Sequence, residues 1–147
     1  MSSIVVFAAP GTGYRRRRDL RMSAHRIVNP PELGKPRGFS HAIVSTGAIV
    51  HLAGQLGGGG TIAEQFDGAA GNLIVALRAA GGKVEDLVSL QIFVTDVAAY
   101  KEARPDIGQA WRKHFGRHYP AMGLFGVTEL FEPDALVELM GVAVLPG

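Results

Sequence analysis

The sequence predicts an α+β domain in which a mixed β-sheet carries two helices packed on one of its faces. Three observations support this. Apolar residues recur at helical spacing over residues 62–80, and residues 88–94 alternate with a period of two. The segment order, strands, helix, strand, helix, strands, lacks both strict βα alternation and the GxGxxG turn of a doubly wound sheet. A chain of 147 residues is enough for one core.

Residues 1–21 are expected to form a basic, disordered tail, separate from a domain spanning 22–147. Of the 15 Lys and Arg and 13 Asp and Glu, five arginines (Arg15–Arg18 and Arg21) and Asp19 lie in this tail, leaving ten basic against twelve acidic residues in the body. The body is therefore mildly acidic, and nucleic acid is not an expected partner except through Arg15–Arg18. Ile4–Ala9 has no positive residue before it, which does not fit a secretory signal.

After the tail, Ile27-Val28 reads as a short edge strand ended by Pro30 and Pro31. His41–Ser45 and Ile49–Gln55 flank Thr46-Gly47 and read as a hairpin. Gly57–Gly60 is expected to be a flexible connector, since no Gly-Lys-Ser/Thr follows to make a phosphate loop. Thr61 with Glu64 forms a capping box for a helix that carries Ile62, Phe66, Ala69, Leu73 and Leu77 and ends at Gly81-Gly82. Val88, Leu90, Ile92 and Val94 then alternate with polar or bulky neighbours, as in a strand with one face in the core. Asp96 can cap a second helix carrying Tyr100, Ile107, Trp111 and Phe115, with Pro105 in its first turns or displacing its start. Two apolar segments, Ala121–Leu130 and Leu136–Leu145, complete the sheet. The last is apolar on both faces, so its second face needs cover from another subunit, and an oligomer is expected.

The chain has no cysteine, which excludes disulfides, thiolate metal sites and a cysteine nucleophile, and suits a reducing, cytoplasmic compartment. No stretch reaches the roughly 18 apolar residues of a membrane-spanning helix, so no membrane partner is expected. His114 and His118 stand four apart but have no evident third ligand, and no dinucleotide fingerprint is present, so neither metal nor cofactor is expected.

Several pieces together resemble the RidA/YjgF family, also called endoribonuclease L-PSP. They are Gly38-Phe39-Ser40-His41-Ala42, Leu52-Ala53-Gly54-Gln55-Leu56, Gln65, Asn72-Leu73, Ala79-Ala80-Gly81, Phe93-Val94-Thr95-Asp96, His118-Tyr119-Pro120-Ala121, and Leu136-Val137-Glu138-Leu139 with Ala143-Val144. Their order spans about His25 to Pro146. The resemblance implies a chorismate-mutase-like fold, a homotrimer whose sheets line a central barrel, and clefts between subunits that hydrolyse enamines and imines to ketones and ammonia. In the family's deaminases an arginine after Pro-Ala pairs with the substrate carboxylate. Here Met122 follows Pro120-Ala121, which removes that fork and places the chain among subgroups lacking it. The family's tyrosine and glutamine at the second motif are Phe39 and His41.

Glu138 is the first candidate catalytic residue. It is the only acid after Asp134 and lies mid-strand among apolar neighbours, where restricted solvent suits a carboxyl to protonate an enamine carbon or position a water. His41 is the second, as a proton shuttle. Phe39, Phe93 and Met122 are expected to wall the pocket, with the Gly123 amide offering a donor and Gly54 leaving room for a ligand. These residues suggest a cofactor-free imine or enamine hydrolase or tautomerase whose small-molecule substrate is not a small 2-imino acid. Alternatives are a non-catalytic ligand-binding or protein-interaction trimer and, third, a ribonuclease. Sedimentation at micromolar concentration should give a mass above that of one chain; a stable monomer would refute the two-faced reading of the last strand.

Overall fold

A computed structural model describes residues 25–147, so the expected basic tail lies outside the described residues. The strands are β1 (His25–Val28), β2 (Ala42–Ser45), β3 (Ala48–Gln55), β4 (Leu87–Val94), β5 (Ala121–Gly126) and β6 (Val137–Leu145). The helices are α1 (Ile62–Ala79), α2 (Val97–Glu102) and α3 (Arg104–Phe115). Strands β3, β6, β4 and β5 form a four-stranded sheet in that order. It is mixed, because β6 pairs antiparallel with β3 and β4 while β4 and β5 run parallel. This is the α+β arrangement expected from the segment order.

The chain builds α1 as its sequence dictates. Thr61 Oγ1 accepts from the Glu64 amide at 3.2 Å, and Glu64 Oε2 accepts from the Thr61 and Gly60 amides at 3.1 and 2.8 Å. Those donors hold the Glu64 carboxyl below its ordinary range, with the Thr61 amide contributing most. Phe66, Leu73 and Leu77 of α1 are fully buried and share one core with Leu90, Val94, Val137 and Leu139 of the sheet and Ile107, Trp111 and Phe115 of α3. Helix α1 lies over β3 and β6, and α3 packs against α1. There His114 Nε2 meets Asp67 Oδ1 at 2.7 Å and Lys113 reaches the same carboxylate at 3.2 Å. The two bonds, His114's foremost, hold Asp67 below the usual carboxylate range.

Four local expectations change. The strands flanking Thr46-Gly47 do not pair with each other: β2 joins β1, with Ser45 opposite His25, and β3 joins β6, with Ala48 opposite Leu145. The nine-residue β6 offers β3 a longer partner than the four-residue β2 does. Gly47 has φ +151° and leaves no room for a side chain beside the Leu145 carbonyl. A register shift between Leu87 and Ser89 puts Leu87 in the core in place of Val88. The second helix is two helices, because Pro105 has no N–H and must sit in a first turn, so α3 starts beside it and Ala103 joins it to α2. The Gly57–Gly60 segment is packed on α1: a Cβ at Gly57 would collide with the Gln65 carbonyl, and one at Gly68 would lie 2.9 Å from the Gly57 Cα.

Gln65 fixes where β6 begins. Its side-chain nitrogen donates to the carbonyls of Gly59 and Asp134 at 3.1 and 3.0 Å, and its oxygen accepts from the Leu136 amide at 2.8 Å. The residue is 5% exposed, so water does not replace these bonds. Gln65→Leu keeps the bulk and strands three backbone groups, and should cost about 2–3 kcal/mol in urea denaturation. A loss within about 0.5 kcal/mol, the scatter of neutral surface changes, would show that the amide is dispensable.

Candidate active site

Glu138, Phe93 and Gly123 lie on the sheet face turned away from the helices, whereas Met122 lies on the helix-facing side. Along β6, Val137, Leu139 and Ala143 point into the core, so Glu138, Met140 and Val142 point the other way. Phe93 of β4 stands opposite Glu138 on one side and Phe125 of β5 on the other, which places the three in a row across the sheet. Glu138 is half-buried, less enclosed than its apolar neighbours in sequence suggest.

The Glu138 carboxyl reaches across to β3. The β3–β6 register shifts between Leu52 and Gln55, and this irregularity brings Gly54 beneath the carboxyl. A Cβ on Gly54 would overlap Glu138 Oε1 and lie 2.8 Å from Cδ. Glycine here makes room for the protein's own glutamate, where the sequence suggested room for a ligand.

Phe39 and His41 come to the far edge of the sheet. The Ser40 amide donates to the Pro120 carbonyl at 3.1 Å, and Ser40 Oγ donates to the Tyr119 carbonyl at 2.7 Å, which ties this segment to the start of β5. The two rings meet edge to face, with centroids 5.1 Å apart. His41 Nε2 lies 3.1 Å from the Gly34 carbonyl. A carbonyl only accepts, so Nε2 carries a proton there, and the neutral ring offers Nδ1 as its acceptor. The His41 amide donates to Asn29 Oδ1 at 2.8 Å.

A hollow of about 360 Å³ opens here, bordered by Phe39, His41, Gln91, Met122, Gly123 and Phe125 among others, and no lysine or arginine lines it among the described residues. Met122 both borders it and packs against the core, opposite Leu90. Gly123 stands opposite Gln91. Glu138 and Gly54 do not line this hollow. One chain therefore presents two half-sites: Glu138 over Gly54 on the β3–β6 side, and Phe39, His41, Met122 and Gly123 at the β5 edge. The Phe93–Phe125 stack, with centroids 5.7 Å apart, lies between them.

Two features escaped sequence reasoning. Phe125 shares a face with Gly123, two residues earlier, and the period of β5 was the signal for it. His25, Ser45 and Asp86 also meet: His25 Nδ1 is 2.7 Å from Ser45 Oγ, and His25 Nε2 is 3.6 Å from Asp86 Oδ1. Both members of the His25–Asp86 pair are nearly buried, and the cluster ties the β1–β2 ribbon to the turn before β4. His114 and His118 face different partners, Asp67 and the Leu87 carbonyl.

The endoribonuclease L-PSP family matches residues 32–145. A 2-iminobutanoate/2-iminopropanoate deaminase of Dermatophagoides farinae is 29% identical over 132 residues, which cover 84% of this chain and 99% of the relative. Among solved structures, the conserved Rid family protein YyfB of Yersinia pestis matches with a TM-score of 0.74 at 28% identity, covering 83% of this chain and 99% of that one. Rv2704 of Mycobacterium tuberculosis, a member of the YjgF/YER057c/UK114 family, matches with a TM-score of 0.60 at 30% identity, covering 82% and 99%.

The contact between Gly54 and Glu138 can be measured by a double-mutant cycle in urea. Gly54→Ala should cost about 1–3 kcal/mol in the wild type, as overpacking does, and much less in a Glu138→Ala background. Equal costs in both backgrounds would mean that the carboxyl does not occupy that space.

Proposed function

Because this chain belongs to the endoribonuclease L-PSP family, the RidA/YjgF proteins, we propose that it is a cofactor-independent hydrolase or tautomerase of enamines and imines, with Glu138 as its acid and base. The supporting observation is the Glu138 carboxyl, held over Gly54 on the open face of the central strand, in a chain 29% identical to an imine deaminase. In the proposed reaction Glu138 gives its proton to the enamine carbon, leaving an iminium and a carboxylate. The carboxylate then takes a proton from water as the oxygen bonds to the C=N carbon. Glu138 passes that proton to nitrogen, and collapse of the carbinolamine breaks the C–N bond, releases ammonia and forms the ketone as the hydroxyl proton returns to Glu138.

The proposal includes a homotrimer, placed in the cytoplasm, in which the Glu138 half-site of one subunit faces the His41 half-site of its neighbour. The exposed Ile49 and Met140 on the open face support it, since each is an apolar side chain that a second copy would cover. His41, with Nδ1 available, is the second proton carrier in this cleft. Phe39, Phe93 and Met122 form its walls, and the Gly123 amide is a donor toward the substrate. With Met122 where the family's deaminases have arginine, the substrate is a small molecule other than a small 2-imino acid.

The hollow without a fixed cation also favours a second reading, a binding or interaction trimer that has given up the chemistry. A ribonuclease fits less well, because the body outside residues 1–21 has more acidic than basic residues. Ammonia release from imines generated in solution, with and without a carboxylate, separates the first two. Under the hydrolase reading, wild type accelerates release from carboxylate-free imines, and Glu138→Gln lowers that rate by roughly a hundredfold or more. No acceleration by wild type, with activity on small 2-imino acids appearing in Met122→Arg, would favour the binding reading.

A further inference from the structure

We infer that Phe125 determines the specificity of this site and that it selects a flat, conjugated ring carrying the imine or enamine group and no carboxylate. The inference rests on the reading of the Glu138 face as the active site and adds a residue and a substrate class to it.

Phe125 is 47% exposed, yet its ring is held from two directions. It stacks on Phe93 with an interplanar angle of 29°, and its tip lies over Gly123, where an added Cβ would come within 2.8 Å of the ring. Any residue but glycine at 123 would force the ring to shift. Its exposed part borders the hollow, so a ligand there meets an aromatic surface already fixed in place, at little entropic cost.

The remaining lining suits such a ligand. Phe39 supplies a second aromatic border, itself braced by His41. Gln91 and Ser89 also line the hollow and bring an amide and a hydroxyl to it, groups able to orient one nitrogen. A carboxylate would find no lysine or arginine among the described lining residues, only neutral hydroxyl, amide and imidazole groups, which replace its water less well than a cation does.

Three uncharged or singly charged probes test this by calorimetric titration of the full chain: benzamide, cyclohexanecarboxamide and 4-carbamoylbenzoate. Wild type should bind benzamide roughly three- to tenfold more tightly than its saturated counterpart, the span expected of one aromatic contact, and more tightly than the carboxylate. Phe125→Ala should erase the preference for the flat ring, and Phe125→Tyr should keep it. A preference that survives Phe125→Ala, a carboxylate that binds as well as benzamide, or no measurable binding by wild type would each overturn the inference. Binding is read separately from ammonia release. Selective, Phe125-dependent binding without turnover would sink the hydrolase reading alone, and Glu138-dependent turnover with an unchanged preference in Phe125→Ala would sink this inference alone.

Discussion

The buried amide of Gln65 bonds three backbone groups drawn from two loops, and one of them, the Leu136 N–H, opens the strand that carries Glu138. That strand is bonded on both sides, to β3 and β4, and lies beneath α1. Its register decides which side chains reach the core. A slip of one residue would turn Glu138 toward the helices and Leu139 toward the open face. Gln65 acts against such a slip at the point where the strand starts. Helix α1, capped by Thr61 and Glu64, in turn fixes Gln65. A local signal in the sequence is thereby converted into the position of a carboxyl some seventy residues later.

Locally determined features were legible in the sequence. The capping box, the apolar spacing of α1 and the two-faced last strand could be read from neighbouring residues, and the structure reproduces the elements they predict. The choice of strand partners was not legible, because β3 could pair with an adjacent short strand or with a distant long one, and the turn residues Thr46-Gly47 look alike in both cases. The bulge at Leu87–Ser89 was hidden for a related reason: alternation counted from Val94 backwards gives no sign of where the period slips. For the site, Glu138 stood out as one acid in an apolar strand. Phe125 did not, since an aromatic residue in a strand has an ordinary packing explanation. The His25–Ser45–Asp86 cluster joins three separate segments and carries no linear motif.

The two half-sites differ in character. The β3–β6 side places the Glu138 carboxyl in a space that Gly54 leaves open. The β5 edge holds aromatic rings, a histidine whose Nε2 meets the Gly34 carbonyl, and a methionine. The carboxyl and the aromatic residues thus lie on separate strands, with the Phe93–Phe125 stack as their common boundary.

The close fit of Gly54 beneath Glu138 also orders the paths by which this sequence can change. A lineage that first replaces the glycine must swing the Glu138 carboxyl, the free end of its side chain, out of that volume. A lineage that first shortens the glutamate meets no such demand, and position 54 then accepts other residues. The glycine therefore guards where the carboxyl sits more than whether the chain folds.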